Sequence, residues 1–298
     1  MTAIIPVALG HAKKRVVSRA VLDLDAKRSA AVPKDAATII LVRDGGDGLE
    51  IFCVERSKAS SFMGGAIVFP GGKVDASDGD EAWGPLVTEP APRAERAHAI
   101  AACRETLEEA ALLPVLGGSI TDEELLALRK ELANDAAALR AFLGKRGLKL
   151  ALDALHPFAR WITPVAESRR FDARFFLAVA PKGQSGAHDE HETVKSFWAT
   201  PSEVLRRYEG KEVQLMPPTH RTISLLASLA DTKAAIAFAA SSCLDPICPE
   251  LVQQKDAQGE TLALTLPGDR EHSVREARVA GPSRYVLRAE QWRAEDAP

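Results

Sequence analysis

No apolar run in these 298 residues approaches the ~20 needed to span a bilayer, so no membrane segment is expected. The run from Thr2 to Leu9 is short and lacks a preceding basic region, so it does not read as a secretory leader. The last residues, Asp296-Ala297-Pro298, match no peroxisomal address. Net charge is only −3, which supplies neither an electrostatic footprint for nucleic acid nor a basic patch for acidic lipids. Small molecules are the expected partners. Cysteine is scarce, at Cys53, Cys103, Cys243 and Cys248, and one C-x4-C pair is weak evidence for zinc. The four read as reduced thiols of a cytoplasmic protein, with a Cys243–Cys248 disulfide as the alternative. No internal repeat is evident.

A 46% hydrophobic content can supply a core without covalent staples. Thr38–Arg43 and Leu49–Val54 flank a Gly- and Asp-rich turn and read as a hairpin. Ala66–Phe69 is a short apolar strand feeding Gly71-Gly72. A helix follows from about Arg96 to Leu113, with Ile100, Cys103 and Leu107 on its inward face. Residues 121–143 look helical, starting at Thr121 with Glu124 as a capping box. That stretch reads as packing, with a lid over the site as the alternative. Strands are expected around 158–163, 175–180 and 198, a helix from Thr200-Pro201, and another over 219–230. Beyond about Ser241 prolines and glycines break the pattern, leaving short strands at 262–266 and 285–287.

Chemistry concentrates at Phe69-Pro70-Gly71-Gly72 and Arg104-Glu105-Thr106-Leu107-Glu108-Glu109. Glu105 and Glu109 lie one helical turn apart with Glu108 beside them, so three carboxylates share a face. Like charges at that spacing destabilise an isolated helix by roughly 0.2–0.5 kcal/mol per pair. Arg104 offers one positive charge, and a hard divalent cation would neutralise the excess. A solvated acidic helix face is the plain alternative.

These residues resemble the signature of the Nudix hydrolases, G-x5-E-x7-R-E-U-x-E-E-x-G-U, where U is aliphatic. Gly72 matches the opening glycine, Arg104-Glu105 the R-E pair and Glu108-Glu109 the E-E pair. Asp78 stands where the family has Glu. The arginine falls at 104 rather than 86, eighteen residues late, and the intervening prolines predict a looped-out excursion. Ala111 replaces the final glycine, which predicts that the helix continues to about Leu113. An insertion at this place resembles the branch that includes peroxisomal coenzyme A diphosphatases. So do the segments Trp161–Pro164, Arg169–Phe176, Trp198 with Pro201 and Glu203, and Pro217–Thr219.

The resemblance implies an α+β protein with the Nudix fold, an α/β/α sandwich around a mixed β-sheet. Residues 1–35 would form a lead-in and 36–240 the Nudix domain, with insertions near 79–97 and 114–157. Residues 241–298 would form a small C-terminal extension. The implied reaction is metal-dependent hydrolysis of the diphosphate in coenzyme A, acyl-coenzyme A or a related nucleoside diphosphate derivative. Mg2+ or Mn2+ would be held by Gly71, Glu105, Glu108 and Glu109, with Arg104 orienting a carboxylate. Glu192 is the first choice for an added acid from the 189–192 loop. Arg56 and Arg170 are expected to contact substrate, a small-molecule nucleotide; a homodimer is left open. Arg56, Ser57 and Gly65 fit the pattern of coenzyme A-cleaving members, but Ser61 stands where a second arginine is expected. That departure favours a broader ADP-ribose or nucleotide-sugar pyrophosphatase as the alternative, with a non-catalytic nucleotide sensor as a third reading.

Overall fold

A computed structural model describes residues 31–57, 65–91, 93–188, 193–257 and 259–298. Strands β1 (Lys34–Gly45) and β2 (Gly48–Arg56) form the expected hairpin, with Gly45 paired to Gly48 across the two-residue turn. Next come β3 (Ala66–Val68), β4 (Gly71–Lys73) and helix α1 (Arg96–Ala110). The region after α1 contains β5 (Val115–Leu116), α2 (Asp122–Leu132), α3 (Ala138–Arg146) and β6 (Lys149–Leu150). The chain returns to the sheet through β7 (His156–Ile162), β8 (Phe171–Val179) and β9 (Thr193–Ala199). It continues through α4 (Pro201–Glu209), β10 (Gln214–Leu215), α5 (Pro217–Leu226) and α6 (Thr232–Ser241). The last strands are β11 (Glu250–Asp256), β12 (Gly259–Thr265), β13 (Arg284–Arg288) and β14 (Gln291–Glu295).

Eight strands make one mixed sheet, ordered β10-β3-β2-β1-β8-β7, with β4 also on β1 and β9 also on β2. β1 runs parallel to β8 and antiparallel to β2. Period-two alternation explains the layers: Ala37, Ile39 and Leu41 pack with α1, while Ile40 and Val42 pack with α4, α5 and α6. Each fully buried Ile or Leu contributes roughly 1.5–3 kcal/mol of transfer free energy, so both faces must be covered. The result is the expected α+β sandwich.

Three details differ from the sequence reading. Helix α1 stops at Ala110, because Ala111 itself takes the left-handed cap conformation at φ 49°, ψ 43° and donates its N–H to Leu107 O. The expected 121–143 helix is two helices: its capping box forms at Thr121 and Glu124, but Asp135 accepts from Ala137 N in a turn that separates α2 from α3. The excursion before α1 is packed onto the later insertion instead of hanging loose. Thr88 N donates to Leu150 O, Arg140 pairs with Asp80 at 2.7 Å, and Trp83 is buried in the same core cluster as Leu128 and Leu143.

The C-terminal residues also build more than the short strands expected of them. β11 to β14 form an antiparallel meander, and its Leu264, Leu266, Tyr285 and Trp292 join the core that covers α5 and α6. Arg284 is fully buried inside this region and forks onto Asp269 at 2.6 and 2.8 Å.

Candidate active site

The glycine segment is a steric requirement. β4 lies antiparallel to Ala36–Thr38 of β1, and a Cβ on Gly71 would sit 2.4 Å from the Ala37 carbonyl oxygen. A Cβ on Gly72 would sit 2.4 Å from the Glu105 carboxylate. That acid is the end of a flexible side chain and could shift, so the fixed requirement for glycine is at Gly71, against backbone. Helix α1 packs on β1 and β4, which brings its acidic face to this backbone.

Arg104 organises the cluster. Its Nε and Nη2 donate to the two oxygens of Asp78 at 3.1 and 3.0 Å, and Nη2 also donates to Lys73 O at 2.8 Å. Nη1 donates to Glu105 Oε1 at 2.9 Å and Glu108 Oε1 at 3.0 Å. Asp78 is fully buried and its Oδ2 accepts from Asp75 N, so this departure from the family pattern anchors the arginine. Glu109 Oε2 accepts from Gly71 N at 3.1 Å, tying the helix to the glycine segment.

One guanidinium therefore serves several carboxylates, and the charge does not balance. Burial pushes the Glu105 carboxyl up to about 7; Arg104 opposes that rise and Glu108 adds to it. Burial works against the charge on Arg104, but Asp78 and the glutamates outweigh it and hold its pKa above the ordinary value. An environment this short of positive charge suits a cation.

The cluster opens on a cleft of about 870 Å3. Gly71, Gly72, Arg104, Glu105, Glu108 and Glu109 all line it, so the predicted motif residues come together on one wall. Arg56 and Ser57 at the end of β2 line it as well. Arg170 sits elsewhere: it donates to Thr163 O at 2.9 Å and Ala31 O at 2.7 Å, whereas its neighbour Arg169 lines the cleft. Glu192, with Asp189, Glu190 and His191, lies outside the described residues, as does Ser61. Pro249 and Leu264 bring the C-terminal region into the cleft wall, which nothing in their local sequence pattern announced.

Among the described residues, no three His, Cys, Asp or Glu side chains converge as a finished metal cage. Glu105 and Glu108 point their oxygens at Arg104, and Glu109 is engaged with Gly71 N. The donor set itself fits a hard divalent ion, being carboxylate and backbone oxygen beside an underneutralised acid.

The NUDT19 Nudix domain model matches residues 88–226 of this chain. A crystal structure of a NUDIX hydrolase from Alicyclobacillus acidocaldarius is 30% identical, with a TM-score of 0.63, and the match covers 70% of this chain and 96% of that one. The chain belongs to the Nudix hydrolases. Acyl-coenzyme A diphosphatase NUDT19 from Xenopus laevis is 26% identical over 74% of this chain and 70% of its own length. The Gallus gallus protein of the same name is 25% identical, over 74% and 72%. The expected Nudix enzyme of the large-insertion branch is thus supported by model, relatives and fold together. No helix of the described residues is long and apolar enough to cross a membrane.

In this Nudix chain, Asp78 was legible as an odd residue in the motif, though not as the fork that holds Arg104. The signal was its spacing, six residues after Gly72. Arg169 was one residue from the predicted contact, and strand alternation carried no cue strong enough to separate the pair.

Proposed function

We propose that this Nudix enzyme hydrolyses the diphosphate linkage of coenzyme A and acyl-coenzyme A, using Mg2+ or Mn2+. The observation that carries the reading is the placement of Glu105, Glu108, Glu109 and Arg104 against Gly71-Gly72 in one cleft. The names of the 25–26% identical relatives support the choice of substrate. Glu105, Glu108, Glu109 and the Gly71 carbonyl would hold the ion. When bound, the metal would neutralise diphosphate charge and lower the pKa of a water nucleophile.

The chain's own residues do the positioning. Asp78 fixes Arg104 by a two-bond fork, and Arg104 in turn aims Glu105 and Glu108. Arg56 and Arg169, both on the cleft wall, are suited to phosphate oxygens through paired N–H donors. Glu192 is the proposed general base. The four cysteines are free thiols, with Cys53 and Cys103 buried, which suits a reducing compartment such as the cytoplasm.

Incubation of the purified protein with coenzyme A and Mg2+ should release phosphopantetheine and an adenosine-containing monophosphate, identified by mass. Turnover of ADP-ribose or nucleotide sugars with none of coenzyme A derivatives would replace the substrate and keep the chemistry. The replacement of the second arginine by Ser61 favours that broader reading. Absence of turnover on every diphosphate tested would leave a nucleotide sensor.

A further inference from the structure

A second cavity, of about 320 Å3, lies beyond Trp161, and no step of the hydrolysis above uses it. β7 and α5 run from one cavity to the other. Trp161 lines both, Pro217–Thr219 of α5 face the carboxylate cleft, and Arg221, Thr222 and Leu225 one turn on face the second space. Its remaining wall is mostly apolar, including Phe158, Phe238, Ile247 and Val279.

Two arginines break that apolar lining. Arg221 is 3% exposed and donates to Ala280 O at 2.7 Å and Pro282 O at 2.5 Å. Arg278 donates through Nη1 to Pro246 O. Each guanidinium keeps a buried Nε–H with no acceptor. A buried donor left unmade costs about 1–3 kcal/mol, but both Nε atoms are sealed from water-sized groups, so an oxygen in the cavity does not reach them as the side chains stand. The backbone is fitted to this arrangement, since a Cβ on Gly281 would overlap Arg221 Nη1. A mostly apolar chamber sharing Trp161 with the carboxylate cleft matches an alkyl chain carried by a substrate held there.

Building on the proposed coenzyme A reading, we propose that this cavity receives the acyl chain of an acylated substrate. A space of about 320 Å3 has room for several methylene groups. Full burial of one methylene is worth roughly a fourfold gain in affinity, and a half-open cavity would return less. Medium chains should therefore be preferred over coenzyme A itself.

The test uses the full chain in two measurements. Calorimetry without divalent metal compares binding of coenzyme A, acetyl-, hexanoyl- and octanoyl-coenzyme A, and kcat/KM is then measured for the same series with Mg2+. Wild type should bind octanoyl-coenzyme A at least tenfold more tightly than acetyl-coenzyme A. Leu225→Trp, and separately Cys243→Trp at the more exposed rim, should remove that gain and leave coenzyme A binding within twofold. Melting curves establish that each variant is folded, and a variant that fails leaves the other to decide. Equal binding across the series, or a chain-length gain that survives both substitutions, overturns the proposal. A chain-length gain in binding that the substitutions erase, without hydrolysis of any member, supports the cavity and rejects the diphosphatase reading instead.

Discussion

Two buried arginines in this protein each fork onto an aspartate, yet only one of them stands at a site. Arg104 grips Asp78 and then reaches Glu105 and Glu108 on a cleft wall. Arg284 grips Asp269, adds Glu271 at 2.8 Å and the neutral Gln254, and is wholly enclosed. The C-terminal fork closes on itself. The fork at α1 leaves acid in excess beside open space, where burial first and Glu108 second push Glu105 up to about 7. A buried ion pair by itself is weak testimony to function; surplus charge facing a cavity is stronger.

The sharpest way to break this comparison is to neutralise one acid in each cluster. Glu109→Gln should lower kcat by at least about 100-fold, equivalent to about 3 kcal/mol of transition-state stabilisation, while the melting temperature stays close to wild type. Glu271→Gln should leave kcat unchanged. Equal losses in both variants, or none in Glu109→Gln, would remove the distinction. Steady-state kinetics on coenzyme A with Mg2+ reads it directly.

Removing the arginines should invert the effect. Arg284→Met leaves Asp269 buried without its cationic partner, holding only the Ser283 hydroxyl and the Glu271 N–H, so urea unfolding should show a loss of about 3 kcal/mol, with turnover per folded molecule retained. Arg104→Met should also destabilise, but Mg2+ should recover part of its melting temperature by replacing the missing positive charge. No recovery by Mg2+ would argue that the α1 acids do not gather a cation.

A third test separates the sheet's two faces by pH. His220, on α5, lies between Tyr208 and Tyr285, with Nδ1 3.1 Å from the Tyr285 hydroxyl. Burial, aided by Arg221 and Arg293, lowers its pKa from 6.5 to about 4. Because the folded value lies below the unfolded one, the unfolded chain binds the extra proton between them. Its contribution is complete above about pH 6.5 and is lost as pH falls toward 4, by up to about 3 kcal/mol. His220→Gln should flatten that part of the stability profile measured by urea at pH 5 and 7.

Much of this was legible in sequence because the controlling features are local or periodic. The β1–β2 hairpin about its Gly- and Asp-rich turn, the Thr121–Glu124 capping box, and Ile100, Cys103 and Leu107 on the inner face of α1 all follow from local composition and spacing. What was not legible depends on contacts between distant segments. Arg129 donating to Ala187 O, Thr88 bonded to Leu150 O, and Leu264 in the cleft wall join stretches with no mutual pattern. The same limit explains Arg169 and Arg170, whose side chains part company through contacts with Thr163 and Ala31.

The end of α1 offers the smallest and most local test. In the insertion, α3 ends at Gly147 with φ 64°, where glycine is at ease, whereas the site helix ends at Ala111 with φ 49°. A left-handed residue with a Cβ costs roughly 1–2 kcal/mol, and Ala111 is also 3% exposed, so its methyl group returns part of that by burial. Ala111→Gly should therefore stabilise by only about 0.5–1 kcal/mol in urea unfolding. If turnover is unchanged, the strained cap is merely tolerated by the packing around it. If stability rises and kcat falls together, the Ala111 methyl sets the position of the acidic face above it, and α1 is a helix whose end is tuned to its carboxylates.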